Sequence, residues 1–239
     1  TTNIKRICGV WCVTHDKSAV SSTWSGPLTS PTSVPNSAEV LVIGGGIVGV
    51  STAWFLARQG VNVVLCEKGH IAGEQSGRNW GWVRIQGRDT REIPMMQAAL
   101  DIWDGLQEAT GEDVGFVRRG CFFTADSEKE MASFENWVKI ARDYGIDSRL
   151  IAASELKQHM QSPMNAWAGA LCTESDGRAE PQRAGPAIAR AAQREGATVL
   201  TSCAVRGVET SGGKVSAVVT EHGTIRTSTV LCAAGAWTS

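Results

Sequence analysis

The chain has 239 residues, of which 42% are hydrophobic and 20% are charged, and its formal net charge is −1. This length accommodates one large domain or two small ones, each with a buried core. The near-neutral charge does not indicate binding to nucleic acid or to an anionic membrane surface. The seven cysteines are scattered, complete no metal-binding pattern and mostly fall in apolar runs. They predict reduced core residues, no metal site and a cytoplasmic location.

The first part of the chain combines an irregular segment with an uncharged one. Residues 1–37 are rich in Ser, Thr and Pro and lack a sustained period, which predicts a flexible N-terminal arm. The following run from Val40 to Ala57 contains no charged residue, as a transmembrane helix would. Four glycines interrupt it, and its pattern changes from strand to helix. We therefore predict no transmembrane segment here.

The segment from Val40 to Glu67 has the pattern strand, glycine turn, helix and second strand. An apolar run predicts a buried strand, and Gly44, Gly46 and Gly49 follow it with the spacing G-x-G-x-x-G. These glycines permit a tight turn, close approach of a pyrophosphate and close helix packing, respectively. Glu67 ends the second strand about 20 residues later, where an acid can bind a ribose. Because every part occurs in order, the segment predicts a dinucleotide site at the helix N-terminus.

The rest of the chain predicts a mixture of helices and strands, after a long loop that contains glycines and arginines. In chain order the predicted elements are a helix at 94–109, a strand pair at 115–125, a helix at 127–144, a strand at 149–152, a helix at 154–160, a strand at 166–172, a helix at 181–195, a strand at 198–200, a hairpin at 204–221, a strand around Ile225 and a strand at 229–232. Glycines follow several of the predicted helices, where a helix C-terminus favours them.

Four sequence features together resemble the D-amino-acid oxidase and sarcosine oxidase-like (DAO) family of FAD-dependent amine oxidoreductases. They are VIGGGIVG with Glu67, the loop GEQSGRNWGWVR, the segment SDGRAEP and the terminal AAGAW. The resemblance covers about residues 38–239 and implies an α/β fold, with a Rossmann-like FAD-binding domain and an inserted α+β substrate domain. The implied domains are a flexible arm at 1–37, the FAD-binding domain at 38–112 and 181–239, and a partial substrate domain at 113–180. Family members continue past the AAGAW segment, so the resemblance also implies a fold that is incomplete at the C-terminus.

The resemblance assigns FAD contacts residue by residue. The matching positions are Gly44, Gly46, Gly49, Glu67, Lys68, Gln75, Ser76, Val205, Gly235 and Trp237. Arg84 matches the arginine that anchors the substrate carboxylate in sarcosine oxidase-like members, and Arg78 and Arg88 are alternatives. A planar guanidinium can hold a carboxylate through two parallel hydrogen bonds.

The activity that the resemblance implies is oxidation of the C–N bond of an amino acid or N-methyl amino acid. Hydride would pass to flavin N5, and the imine would then be hydrolysed. Oxygen or a quinone-type acceptor would reoxidise the flavin, and a respiratory acceptor would bring peripheral membrane association by family analogy. Two alternatives stay open, namely an NAD-dependent dehydrogenase on the same type of fold and a truncated FAD-binding protein without turnover.

Overall fold

The computed structural model describes residues 3–7, 10–14, 28, 30, 31, 33–160 and 167–238. The chain divides into two compact units. The antiparallel-sheet unit comprises residues 1–22, 82–105 and 116–179, and the parallel-sheet unit comprises residues 23–81, 106–115 and 180–239.

The described strands and helices, numbered in chain order, are β1 (Asn3–Ile7), β2 (Val10–Thr14), β3 (Val40–Ile43), α1 (Ile47–Arg58), β4 (Val63–Cys66), α2 (Gln75–Arg78), β5 (Trp82–Val83), α3 (Ile93–Thr110), β6 (Val117–Arg118), β7 (Cys121–Ala125), α4 (Glu128–Asp143), β8 (Ser148–Ala152), α5 (Ala153–His159), β9 (Gly169–Thr173), β10 (Gly177–Arg178), α6 (Pro181–Arg194), β11 (Thr198–Leu200), β12 (Val205–Ser211), β13 (Lys214–Thr220), β14 (Gly223–Arg226) and β15 (Thr229–Cys232). A 3₁₀ turn spans Gly235–Trp237. Among the described residues, the helices are too short or too polar to span a lipid bilayer.

The parallel-sheet unit is built on a four-stranded parallel sheet with the strand order β11-β4-β3-β15. Its strands are short apolar runs, as expected for strands covered on both faces. Helices α1 and α6 pack against each other and contact the sheet strands. A core that includes Leu41 and Val64 of the parallel sheet also contains Val218 and Ile225 of the three-stranded sheet β12-β13-β14.

Strand β3 lies at the position that matters most for a ligand. It pairs with β4 on one side and with β15, which comes last in the chain, on the other. The chain therefore continues from β3 to β4 on one side and returns to the other side of β3 only with its last strand. Ligands of open α/β sheets bind beyond the carboxyl ends of the strands at such a switch point.

The antiparallel-sheet unit contains a five-stranded sheet with the order β1-β2-β7-β9-β8. On one face, Trp137 and Ala141 of α4 share a core with Ile85, Ile93 and residues around them. A second core contains residues of β7, β8 and β9 together with helix α5: Phe122, Ile151, Leu156, Met160, Trp167, Ala170 and Cys172. A small sheet, β5-β10-β6, completes the unit.

The structure differs from the sequence-based expectations in a strand pairing and in the N-terminal arm. The predicted strand pair at 115–125 is wrong as a pair, because β6 pairs with β10 whereas β7 pairs with β9 and β2. In the predicted flexible arm, residues 3–7 and 10–14 instead form β1 and β2, whose backbone pairing continues the sheet from β7. Much of the remaining arm lies outside the described residues.

The contact units also divide the chain differently from the predicted domains. Residues 82–105 cluster with the antiparallel-sheet unit, although the prediction counted them with the first FAD-binding part. The reason is that Val83, Ile85, Ile93 and Leu100 are buried in the core formed with α4.

Candidate functional site: a glycine turn at the end of a parallel sheet

The glycine turn after β3 is packed too closely for side chains. Gly44 has a φ of +107°, and a Cβ built on it would lie 2.5 Å from the carbonyl oxygen of Ala233, which follows β15. A Cβ at Gly49 would lie 1.8 Å from the carbonyl oxygen of Gly44. Gly45, which the motif leaves unspecified, packs directly on Glu67. A Cβ built on Gly45 would lie 2.9 Å from the Cβ of Glu67. The turn therefore brings helix α1, β4 and the end of β15 together.

The N-terminus of α1 is capped from a distant part of the chain. Gly46 is the N-cap residue and has no side chain to accept a hydrogen bond. The hydroxyl of Ser76, in helix α2, accepts a hydrogen bond of 2.9 Å from the backbone N–H of Ile47. A hydroxyl that accepts from the helix can still donate its own proton. Ser76 can therefore donate a hydrogen bond to a phosphate oxygen beside the positive end of the helix dipole.

Glu67, at the end of β4, is bound to the backbone on both sides. Its Oε2 accepts from Gly45 N at 2.7 Å, and its Oε1 accepts from Gly69 N at 2.7 Å. The residue is buried. Each carboxylate oxygen has a second lone pair, so these bonds leave acceptors for ribose hydroxyls. The carboxylate thus stabilises the glycine turn in addition to the role predicted for it.

Lys68 and Trp237 are in direct contact. The Lys68 ammonium lies 3.7 Å from the centroid of the Trp237 ring and 3.2 Å from Oε1 of Glu74. Cation–π contacts of this kind hold a side chain against an aromatic face. Trp237 remains 51% exposed, so its ring presents a free surface beside the glycine turn.

A cavity of about 370 Å³ lies at the carboxyl ends of β3, β4 and β15. Of the residues predicted to bind the cofactor, those that line it are Gly44, Gly46, Glu67, Lys68, Gln75, Ser76, Val205, Gly235 and Trp237. Gly49 does not line the cavity but lies behind it, at the contact between helix and turn. The sequence reasoning missed Ala204 and Arg206 on β12 and its approach, as well as Ala233 and Glu74. Small or surface-type residues of this kind carry no pattern that marks them in advance.

The cavity residues suit a dinucleotide. The glycine turn provides space that a Cβ would fill, and the helix N-terminus and Ser76 provide donors for phosphate. Glu67 provides acceptors for ribose hydroxyls, and Trp237 provides an apolar ring surface. No cluster of His, Cys, Asp and Glu suited to a metal ion occurs within the described ranges.

Arg84 belongs to the antiparallel-sheet unit, just after β5. Its guanidinium lies against two aromatic rings, with the carbon Cζ 5.3 Å from the centroid of Trp82 and 5.2 Å from that of Phe123. Its Nη1 donates to the backbone oxygen of Gln86. Burial lowers the pKa of Arg84, and the like charge of Arg88 acts in the same direction. Arg84 forms no ion pair with any residue that the structure describes.

The two alternative arginines have different surroundings. Arg78 lies in α2 of the parallel-sheet unit, is 67% exposed and pairs with Glu74 at 3.1 Å. Arg88 pairs loosely with Glu92, with 3.7 Å between Nη1 and Oε2. Arg84 therefore differs from both, since it is partly buried, stacked on aromatic rings and without a carboxylate partner among the described residues.

Asp176, from the SDGRAEP segment, fixes the loop that carries Arg84. Its two carboxylate oxygens accept from Ile85 N at 2.7 Å and from Gln86 N at 3.1 Å. Burial raises the pKa of Asp176 to about 6, although these backbone donors and the Arg84 charge act in the opposite direction. The sequence marked this segment as a family feature but gave Asp176 no role, because its partners lie about 90 residues earlier in the chain.

A glycine turn at a helix N-terminus, an acid at the end of the next parallel strand and a cavity at the switch point define a dinucleotide-binding α/β protein. Comparison with known protein families agrees with this class of protein. Residues 39–239 match the family described as DAO, FAD dependent oxidoreductase, and the chain belongs to this family. The predicted family and FAD as its cofactor are thereby confirmed, so FAD is favoured over the NAD alternative.

Individual relatives support the same family. The chain is 31% identical over 219 residues to mitochondrial sarcosine dehydrogenase of Mus musculus, covering 86% of this chain and 23% of the relative. It is 30% identical over 194 residues to sarcosine oxidase subunit beta of Rhodobacter capsulatus, covering 78% of this chain and 47% of the relative. The structure of L-amino acid deaminase from Proteus myxofaciens in complex with anthranilate superposes with a TM-score of 0.84 at 34% identity, covering 89% of this chain and 48% of that chain. The predicted α/β fold is confirmed, and the chain spans less than half the length of each of these relatives.

Proposed function

We propose that this chain carries the FAD-binding part of an enzyme that oxidises the C–N bond of an amino acid or N-methyl amino acid. One observation carries the proposal: nine residues assigned to FAD from sequence alone line a single cavity at the switch point of the parallel sheet. Family membership supports it. Sarcosine is the substrate named for two of the relatives, and an L-amino acid for a third.

The residues around the cavity would divide the cofactor between them. Gly44, Gly46 and the N-terminus of α1 would hold the pyrophosphate, with Ser76 as an additional donor. Glu67 would accept hydrogen bonds from the ribose hydroxyls. The remaining residues assigned to FAD, Lys68, Gln75, Val205, Gly235 and Trp237, line the same cavity and would contact other parts of the cofactor.

Arg84 would anchor the carboxylate of the substrate. Its guanidinium is oriented by two aromatic rings and by the carbonyl of Gln86, so little side-chain freedom remains to be lost on binding. Bound flavin would supply the redox chemistry as the acceptor of hydride from the substrate carbon next to nitrogen. The protein would orient that carbon, and water would then hydrolyse the imine to a carbonyl compound and an amine. Oxygen or a quinone-type acceptor would complete the cycle.

We further propose a reducing compartment such as the cytoplasm. Cys66, Cys121, Cys172, Cys203 and Cys232 are not joined in disulfide bonds. Four of them are buried, and burial raises the pKa of Cys66 and raises that of Cys172 to about 11. Such thiols stay protonated and unreactive at neutral pH, as is usual for core cysteines of a reducing environment.

The test is a visible absorption spectrum of the purified chain with FAD supplied, followed by anaerobic addition of sarcosine, proline and a panel of D- and L-amino acids. A protein-bound flavin spectrum that bleaches with one of these compounds supports the proposal and names the substrate class. Bound flavin that bleaches with none of them contradicts the proposed turnover. Failure to retain FAD contradicts the assigned cavity.

A further inference from the structure

The antiparallel-sheet unit contains a buried polar chain that ends in an unused donor. The indole N–H of Trp137 donates to Ser148 Oγ at 3.0 Å, and Ser148 is hydrogen-bonded to Thr173 Oγ1. Thr173 in turn donates to Gln86 Oε1 at 2.7 Å. The amide nitrogen of Gln86, Nε2, is buried and has no hydrogen-bond partner among the described residues. Gln86 itself is fully buried, at 0% exposure.

The orientation of the Gln86 amide is set by its hydrogen bond with Thr173. An indole N–H can only donate, so Ser148 accepts from Trp137, and Ser148 and Thr173 share a hydrogen bond in which either hydroxyl can donate. Thr173 donates to Gln86 Oε1, which places the carbonyl end of the amide at that point. When Ser148 donates to Thr173, every proton of the polar chain has an acceptor, and the two N–H groups of Nε2 are directed away from the chain.

Several features make an anion the fitting partner for these donors. Gln86 and Arg84 belong to one short loop, and Arg84 Nη1 donates to the backbone oxygen of Gln86, so the guanidinium lies against the backbone of that residue. The like charge of Arg88 lies close enough to affect Arg84, and no described carboxylate pairs with Arg84. Asp176 uses both of its oxygens on backbone N–H groups of the same loop. The loop thus combines a partly buried guanidinium that has no ion-pair partner among the described residues with the unused donors of Gln86 Nε2.

We infer that Gln86 is a second carboxylate-binding residue, whose Nε2 donates to a carboxylate that Arg84 also binds. This inference rests on the proposed function, since it concerns the carboxylate that Arg84 would anchor. It deepens that function by adding a second, uncharged donor to the carboxylate contact, which disfavours simple amines as substrates. The chain from Trp137 to Thr173 fixes the Gln86 amide in the orientation that binding needs, with its Nε2 protons free.

The test observes the two side chains directly by ¹H–¹⁵N NMR of the full chain supplied with FAD. Propionate is the probe, and propionamide is the uncharged probe of nearly equal shape. We expect the Gln86 side-chain amide and the Arg84 Nε–H resonances to shift together and saturably with propionate, and neither to shift with propionamide. Gln86→Met should weaken propionate binding by roughly tenfold. Gln97→Met should not, because Gln97 is partly exposed and donates to the backbone oxygen of Tyr144 in the same unit.

The outcomes separate this inference from the proposal on which it rests. If Arg84 Nε–H shifts with propionate while the Gln86 amide does not, the inference is overturned and the Arg84 anchor stands. If neither resonance shifts, both the inference and the anchor are overturned, while the FAD assignment is judged by the flavin spectrum. If Gln86→Met does not fold, the resonances of the unsubstituted chain still decide the question.

Discussion

The close contact between helix α1 and the glycine turn can be tested by adding a single methyl group at Gly49. In Gly49→Ala the new Cβ would lie 1.8 Å from the carbonyl oxygen of Gly44 and 3.0 Å from its carbonyl carbon. Both contacts are with backbone atoms, which cannot rotate away as a flexible side chain would. Either helix α1 or the turn must therefore move, and the turn is the segment proposed to hold the pyrophosphate.

Two opposing effects decide how far Gly49→Ala changes the free energy of unfolding. Alanine is favoured over glycine in a helix by about 1 kcal/mol, which would stabilise the variant. Overpacking a tightly packed site costs about 1–3 kcal/mol or more, and a clash with backbone falls at the upper end of that range. We therefore expect the free energy of unfolding to fall by about 1–2 kcal/mol. For a chain of this size the midpoint of thermal unfolding should fall by about 2–8 °C.

The assay combines thermal unfolding with an FAD titration, and Gly105→Ala is the matched control. Gly105 lies on the exposed side of helix α3, and a Cβ there would meet nothing within 4 Å. The same substitution should therefore raise the free energy of unfolding by about 0.5–1 kcal/mol and leave FAD binding unchanged. If Gly49→Ala is as stable as the unsubstituted chain and binds FAD equally well, the packing argument for the glycine turn is refuted.

Three further substitutions test other contacts. Ser76→Ala removes the acceptor of the α1 N-terminus, so it should lower the free energy of unfolding by about 1 kcal/mol and weaken FAD binding. Ser127→Ala, at the N-cap of α4, should lower the free energy of unfolding similarly but leave FAD binding unchanged. Denaturation and FAD titrations compare the two variants, and equal FAD affinities would contradict the assignment of Ser76 to the cofactor site. Glu67→Gln places an amide donor against Gly45 N or Gly69 N and should raise the FAD dissociation constant roughly tenfold. An unchanged dissociation constant in the FAD titration would contradict the role of Glu67. Because the pKa of Asp176 is raised to about 6 in the folded chain, its contribution to stability is present at low pH and is lost as the pH rises through that value. The difference in unfolding free energy between the unsubstituted chain and Asp176→Asn should therefore change across pH 4–6, by at most about 1.4 kcal/mol per pH unit, and parallel curves from urea denaturation would contradict this.

Much of the parallel-sheet unit could be predicted from the sequence because its signals are local. The apolar runs of β3 and β4, the spacing of Gly44, Gly46 and Gly49 and the acid at Glu67 all lie within one stretch of fewer than 30 residues. Each signal reflects a backbone conformation or a hydrophobic period that a short segment adopts without help from distant residues. The hairpin of β12 and β13 was predictable for the same reason, since Gly212 and Gly213 both have positive φ in the turn.

The antiparallel-sheet unit was harder to predict, because its strands are defined by their partners. β6 and β7 are neighbours in sequence and look like a hairpin, but each pairs with a different strand. A two-residue strand such as β6 has no period of its own. Only the position of β10 and β9 in the folded unit decides where its hydrogen bonds go.

The sequence by itself therefore determined the class of the protein, the glycine turn, the acid at Glu67 and most helices and strands. The tertiary structure alone decided that Ser76 caps helix α1, that Lys68 lies against Trp237, and that Asp176 and the polar chain from Trp137 fix the loop of Arg84 and Gln86. The physical reason is that turns and periodic elements are required by local backbone geometry. Buried polar groups must instead find partners wherever the fold brings them, and those partners lie 29 residues apart for Ser76 and Ile47 and 91 residues apart for Asp176 and Ile85.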